Sequence, residues 1–173
     1  EVFQKFVNKL KKDDLLIINS DSKQSKKIQT KSKVFSFGIN SKADLMAKNI
    51  YVDDKKLLQV FDLYLKDYPL GRIETHLPGI INVYNILGAI SIAINYGIDI
   101  KDIQKSLLNF NGIWRRFERI GYFDKDKKFN FIKDINKIDL KDKALVISDY
   151  GHHPTAIKET LKEIHKDKRL MYF

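Results

Sequence analysis

The chain has 173 residues, 43% hydrophobic and 31% charged, which suffices for one soluble globular domain or two small ones. No apolar run approaches the roughly 20 residues that cross a bilayer, the first residues lack a signal-peptide pattern, and a chain without cysteine forms neither disulfides nor thiolate metal sites. The lack of cysteine fits a reducing cytoplasm, where we expect the protein, and the lack of a long apolar run argues against a membrane protein. The net charge of +10 comes mostly from lysines scattered among aspartates, so we expect no binding to nucleic acid.

Alternating helix and strand patterns occupy the N-terminal part of the chain. Helical spacing of the apolar residues at 3–10 predicts the end of an amphipathic helix. Short apolar runs at 15–18 and 34–37 predict buried strands, followed by a polar loop at 19–22 and by Gly38. Buried strands separated by helical segments favour a mostly parallel sheet with helices on its faces.

Residues 48–77 have a different pattern. Strand-like runs at 59–64 and 72–77 are separated at 67–71 by a segment with proline and glycine, which predicts an antiparallel hairpin with its turn there. The next segment, 82–96, is apolar nearly all round, so we expect a buried helix.

Gly97 ends that helix, and Asp99 is placed to cap a second one, whose apolar stripe comprises Ile100, Ile103, Leu107 and Leu108. We place a domain boundary at 111–112, which divides the chain into residues 1–112 and 113–173. Later elements are predicted as strands at 120–123, 129–132 and 144–147, a helix from Pro154 and a strand at 170–173. Because the sequence starts within a helix pattern and stops within a strand pattern, we expect a segment of a longer polypeptide.

The densest group of reactive side chains is the run Ser148-Asp149-Tyr150-Gly151-His152-His153-Pro154-Thr155. It follows a predicted strand and opens a predicted helix, where α/β proteins gather ligands and where helix N–H groups attract carboxylate or phosphate. Carboxylate, phenol and imidazole groups together favour a binding site over an ordinary turn. Adjacent histidines on a turn rarely converge on one ion, so we expect no metal site there.

A second run, Gly112-Ile113-Trp114-Arg115-Arg116-Phe117-Glu118, lies at the predicted domain boundary. Only five arginines occur, and three of them fall at 115, 116 and 119. A guanidinium binds phosphate through paired hydrogen bonds, which favours phosphate binding between domains over a solvated ion pair.

The third run is Leu77-Pro78-Gly79-Ile80-Ile81-Asn82-Val83-Tyr84-Asn85. Asn82 and Asn85 are three residues apart at the start of a predicted helix, so both amides lie on one helical face. Two interpretations remain open for them, since the amides can read an adenine edge or cap the helix.

Taken in this order, the three runs resemble motifs of the Mur ligase family of peptidoglycan synthesis: Pro-Gly-x-His-Asn-x-x-Asn, Gly-x-x-Arg-Arg-Phe-Glu and Asp-Tyr-Gly-His-His-Pro-Thr. Asn19-Ser20-Asp21 is also similar to the family's Asn-x-Asp segment. The resemblance covers most of the chain and implies an α/β fold. Residues 1–112 would be the later part of a P-loop-type central ATPase domain, and residues 113–173 the start of a Rossmann-like C-terminal domain that binds the amino acid.

The resemblance also implies a reaction, in which ATP activates the carboxyl group of UDP-N-acetylmuramate as an acyl phosphate that the amine of L-alanine attacks. The cofactors would be ATP and Mg²⁺, with the magnesium ligands mostly outside this chain. The expected nucleotide-binding residues are Asn82, Asn85, Arg115, Arg116 and Asp149. The expected amino-acid-binding residues are Tyr150, His152 and His153, and the expected catalytic residues are Arg116 and His152.

Departures from the family pattern leave alternatives open. Ile81 stands where the family has histidine, Ser148 where aspartate is frequent, and Ala156 where alanine-adding members have glutamate. The Thr155-Ala156 ending resembles members that attach a recycled tripeptide to the same UDP-sugar, and a degenerate, non-catalytic member is a third interpretation. Because no Gly-x-x-x-x-Gly-Lys-Ser/Thr loop occurs among the 173 residues, we expect them to lack ligase activity on their own.

Overall fold

The computed structural model describes residues 2–53, 56, 58–113, 118–133, 138, 142–151, 154, 157, 158 and 161. Its helices are α1 (Val2–Val7), α2 (Ile80–Asn95) and α3 (Ile100–Asn109), with a 3-10 turn at Ser25–Lys27. Its strands are β1 (Leu15–Asn19), β2 (Lys33–Gly38), β3 (Leu45–Asp53), β4 (Leu58–Leu65), β5 (Tyr68–Thr75), β6 (Glu118–Phe123), β7 (Phe129–Phe131) and β8 (Ala144–Ser148).

Two sheets are formed. The first has the order β1-β2-β3-β4-β5, with parallel pairing from β1 to β3 and antiparallel pairing from β3 to β5. The parallel part corresponds to the predicted α/β sheet and the antiparallel part contains the predicted hairpin. The second has the order β7-β6-β8 and is antiparallel. The predicted α/β class is therefore confirmed.

Strand β3 is the element that the sequence pattern did not predict. Its pairing with β4 shifts register between Lys48 and Tyr51, and Asn49 in the shifted stretch has a φ of 51°. A β-bulge of this kind interrupts the alternation of inward and outward side chains on which strand prediction depends.

The turn of the β4–β5 hairpin lies earlier than predicted. Lys66 and Asp67 form it, with φ values of 48° and 69°, so Pro69 and Gly71 belong to β5. Two central residues with positive φ are typical of the two-residue turns whose twist matches that of a hairpin. Gly71, with a φ of 131°, lies at a register shift beside Leu63.

Helix α2 begins two residues before its predicted start and is buried along one side only. Ile81 and Ile92 are 41% and 52% exposed, so the prediction of a wholly buried helix is wrong. The helix packs on β1, β2 and β3 and covers a single face of the first sheet. The core between them consists of Leu45, Ala47, Phe61, Leu63, Ile73, Val83, Ile86, Leu87, Ile90 and Ile103.

The predicted buried strands at 15–18 and 34–37 are half-buried instead. Leu15 is 37% exposed and Val34 is 47% exposed, because α2, which packs on β1 and β2, covers one face of these strands. The strand predicted at 144–147 likewise buries a single residue, Leu145.

Helix α3 starts as predicted. The Asp99 carboxylate accepts a hydrogen bond from the Lys101 N–H at 2.8 Å, and Ile103 is buried, whereas Leu108 at the end of the predicted stripe is 39% exposed. None of the helices in the described ranges has the length and apolar character that a bilayer crossing requires.

Candidate functional site

Gln59 determines where α2 begins. Its side chain is only 4% exposed; Oε1 accepts a hydrogen bond from the Gly79 N–H at 3.1 Å, and Nε2 donates to the Tyr51 carbonyl at 2.7 Å. Gly79 has a φ of 94°, a conformation that favours glycine. The buried amide thus connects β3, β4 and the start of α2.

Asn82 and Asn85 both belong to the first two turns of α2, as predicted. The N-cap of α2 is Gly79, without a side-chain capping bond, so neither asparagine caps the helix and that interpretation is wrong. The Asn82 Nδ2 instead donates to the Pro78 carbonyl at 2.6 Å. Its Oδ1 accepts no hydrogen bond from the described residues, and Asn85 is exposed. Residues three apart differ by about 60° around a helix, so both groups lie on one face. The carbonyl acceptor of Asn82 and the side-chain amide of Asn85 together complement the edge of a purine base, which carries both donors and acceptors.

Asp21, at the carboxyl end of β1, is the most extensively hydrogen-bonded side chain in this region. Its Oδ2 accepts the N–H groups of Ile39 and Asn40 at 2.7 and 3.0 Å, and Oδ1 accepts that of Ser41 at 2.6 Å. The Tyr84 hydroxyl also donates to Oδ2, at 2.9 Å. A single carboxylate therefore joins β1, the loop after β2 and helix α2.

The surroundings of Asp21 and Tyr84 determine the protonation state of both side chains. Burial favours the neutral acid, but hydrogen bonds from Asn40, Ile39, Ser41 and Tyr84 outweigh it and hold the pKa of Asp21 well below its usual range. Burial, followed by the bond to the Asp21 carboxylate, raises the pKa of Tyr84 to about 12. At neutral pH the carboxylate is therefore an anion and the phenol a neutral donor.

Sequence analysis did not place Asp21 or Tyr84 in the site. The available signal was the Asn19-Ser20-Asp21 segment directly after a strand, in which the Asn19 Oδ1 accepts the Asp21 N–H at 2.8 Å. Nothing in the sequence indicates that Tyr84 pairs with Asp21.

The end of β8 and the start of β6 meet at one end of the second sheet. Glu118, the first residue of β6, pairs with Ser148, the last residue of β8. The chain that enters β6 and the chain that leaves β8 are thereby attached at the same end of the sheet. The first of these follows Arg115 and Arg116 in sequence, and the second opens with Asp149. The two arginines themselves lie outside the described residues.

The loop after β8 is described at Asp149, Tyr150 and Gly151, while His152 and His153 lie outside the described residues. Tyr150 is 54% exposed. A Cβ at Gly151 would lie 2.9 Å from the Asp149 Oδ1 and 3.2 Å from the Ile157 Cγ1, so glycine allows a close approach here. Pro154 and Ile157 are helical, which confirms the predicted change from strand through loop to helix.

Arg119, the third arginine of the cluster, lies in β6 opposite Ile147 of β8. It is half-buried, and burial lowers the pKa of its guanidinium. Among the described residues no carboxylate pairs with Arg119. Arg72 differs, because it forms a surface ion pair with Asp62 at 3.1 Å.

Within the described ranges no three His, Asp or Glu side chains lie close enough to hold one ion. Protein sites for Mg²⁺ commonly supply one or two carboxylates and leave the other positions to water and substrate phosphates.

The chain matches the Mur ligase middle domain family over residues 1–93. It is 33% identical over 176 residues to UDP-N-acetylmuramate–L-alanine ligase of Aquifex aeolicus, a match that covers 99% of this chain and 34% of that relative. The chain thus spans about a third of the length of the curated relatives it matches.

Two solved structures show the same fold. UDP-N-acetylmuramate–alanine ligase of Thermotoga maritima matches with a TM-score of 0.59 and 22% identity, over 75% of this chain and 26% of that one. A murein peptide ligase of Psychrobacter arcticus matches with a TM-score of 0.62 and 25% identity, over 95% and 31% respectively. These likenesses agree with the α/β architecture described above.

Proposed function

Because the chain belongs to the Mur ligase family, we propose that it is a segment of an ATP-dependent, cytoplasmic ligase that joins L-alanine to UDP-N-acetylmuramate through an acyl phosphate. The observation that carries this function is the pairing of Glu118 with Ser148. It attaches the chain that follows the arginine segment and the chain that opens the Asp149 loop to one end of a sheet, so we expect a phosphate-binding group and an amino-acid-binding group near each other.

We assign nucleotide binding to the residues that can recognise a base and phosphates. Asn82 offers a carbonyl oxygen and Asn85 an exposed amide, together suited to the adenine edge. Arg116, with Arg115, binds the phosphates and stabilises the charge that develops on the transferred phosphoryl group. Asp149 accepts a hydrogen bond from the nucleotide. Bound ATP supplies the phosphoryl group that activates the carboxylate of the UDP-sugar.

We assign binding of the amino acid substrate to the loop that begins at Asp149. We assign Tyr150, His152 and His153 to its pocket, and the loop leads into the helical residue Pro154. A helix N-terminus attracts a carboxylate, so this end suits the carboxylate of L-alanine. The amine of L-alanine forms the new C–N bond at the activated carbon, and phosphate leaves. We assign His152, from its position in this loop of the sequence, to take the proton from the amine.

One other amine substrate competes with L-alanine for this assignment. Ala156 and the likeness to the Psychrobacter arcticus protein favour a recycled tripeptide as the amine donor to the same UDP-sugar. The match to UDP-N-acetylmuramate–L-alanine ligase of Aquifex aeolicus, 33% identical over 99% of this chain, favours L-alanine.

Single substitutions in the full-length polypeptide that contains this segment test these roles. Arg116→Ala should lower kcat/KM for ATP by about 10²- to 10³-fold, because one charge-stabilising donor is worth that much in a transition state. His152→Ala should mainly raise the KM for L-alanine, with the KM for ATP unchanged. Both are measured as L-alanine-dependent ADP release.

Arg72→Ala is the matched control, since Arg72 is an exposed arginine on β5 that pairs with Asp62 of β4. It should leave both constants unchanged. Unaltered kinetics in Arg116→Ala would remove Arg116 from the reaction, and no turnover in the wild-type full-length protein would favour the degenerate interpretation.

A further inference from the structure

The hydrogen bond between Asp21 and Tyr84 joins residues 63 positions apart. The Tyr84 hydroxyl donates to the carboxylate at 2.9 Å and accepts from the Asn40 side-chain amide at 3.4 Å. Because the same carboxylate also accepts three consecutive backbone N–H groups of the loop after β2, it is held in place independently of Tyr84. Helix α2 is thus connected to a rigid acceptor.

Tyr84 lies about 160° around the α2 axis from Asn82 and about 100° from Asn85, so a rotation of the helix that breaks its hydrogen bond also moves the two amides. A side chain ends roughly 6 Å from a helix axis, so a rotation of about 10° displaces its end by about 1 Å. A displacement of 1 Å lengthens a hydrogen bond of about 2.9 Å beyond hydrogen-bonding geometry. Small rotations of α2 would therefore abolish base recognition by the two amides.

The other contacts of α2 constrain this rotation less. Gln59 and Asn82 bind the backbone of Gly79 and Pro78, directly before the helix. Against the sheet, α2 packs through Val83, Ile86, Leu87 and Ile90, which are apolar. Apolar burial is non-directional, whereas a hydrogen bond to a charged group has a defined geometry.

We propose that Asp21 and Tyr84 are positioning residues that set the rotation of α2 and thereby hold Asn82 and Asn85 against the nucleotide base. This inference rests on the proposed function, which assigns a base to that face. Asp21 and Tyr84 act through the two asparagines, so their loss should weaken discrimination between adenine and guanine and leave phosphoryl transfer unchanged.

The test uses Tyr84→Phe, which removes only the hydroxyl, and Asp21→Asn in the full-length polypeptide. We expect the KM for ATP to rise about three- to tenfold, since one ordinary hydrogen bond between an amide and the base contributes about that factor. The preference for ATP over GTP, as the ratio of kcat/KM values, should fall by a similar factor, while kcat and the KM for L-alanine stay within about twofold. Tyr96→Phe is the control, because Tyr96 lies at the end of the same helix and is 83% exposed.

An unchanged ATP-to-GTP ratio in Tyr84→Phe, with or without a lower unfolding temperature, would overturn the inference and leave a purely structural contact. Should Asp21→Asn fail to fold, Tyr84→Phe decides alone. Failure of the proposed function is distinguishable, because the wild-type protein would then release no ADP in response to L-alanine. In that case the ratio of equilibrium Kd values for ATP and GTP decides the inference in the same way.

Discussion

Asp21 makes the stability of this fold depend on pH in a defined direction. Its folded-state pKa is below its unfolded value of about 3.9, so its stabilising contribution is complete above that value and is lost as the pH falls through the folded-state pKa. Asp21→Asn should therefore lower the free energy of unfolding by about 1–2 kcal/mol at pH 7, the low end for a partly exposed charged acceptor. The difference from wild type should be equal at pH 7 and pH 5 and should shrink below about pH 4.

Denaturant unfolding across that pH range measures the difference. Asp13→Asn, at an exposed position, is the control and should track wild type throughout. A difference that grows as the pH falls would contradict the assignment of Asp21 as an anion in the folded protein.

Among the elements, the start of α2 depends on one buried amide. Gln59→Leu keeps the volume but leaves the Gly79 N–H and the Tyr51 carbonyl without their partner. Each unsatisfied buried group costs about 1–3 kcal/mol, so we expect a loss of about 2–4 kcal/mol in the free energy of unfolding and faster amide exchange at Gly79.

Gln104→Leu is the matched control, since Gln104 donates one hydrogen bond to the Arg72 carbonyl from a half-buried position on α3. Its cost should be clearly smaller. Equal costs for the two variants, measured by denaturant unfolding, would show that Gln59 does not fix the start of the helix.

The sequence pattern predicted elements well where local chemistry decides them. The cap of α3 at Asp99 and the hairpin of β4 with β5 follow from residues that are close in sequence. The sequence pattern failed where the conformation or exposure of an element depends on the element with which it pairs or packs. The bulge in β3 is set by its pairing with β4, and the exposure of Ile81 and Ile92 depends on which side of α2 meets the sheet.

The candidate site divides in the same way. The positions of the Asp149 loop and the asparagine pair at element boundaries could be predicted from sequence, because each is a short run, while their binding roles stay predictions. The Asp21–Tyr84 contact could not, because its two residues are 63 positions apart and are brought together only by the packing of α2 on β1 and β2.

On the scale of the whole molecule, the two sheets share no strand pairing within the described ranges. Between α3 and β6, residues 110–113 have no regular secondary structure, and Gly112 has a φ of 94°. These features support our proposal of a domain boundary at 111–112. A cleft between two domains is a common position for a ligand site, and our proposal assigns base recognition to the first domain and amino-acid binding to the second.

The identity of the product tests this account most directly. The full-length polypeptide is incubated with ATP, magnesium, UDP-N-acetylmuramate and equal amounts of L-alanine and the recycled tripeptide, and the products are identified by mass spectrometry. The account predicts UDP-N-acetylmuramate extended by one alanine, with one ADP released per bond formed. A tripeptide adduct in place of the alanine product, or no adduct at all, would contradict it.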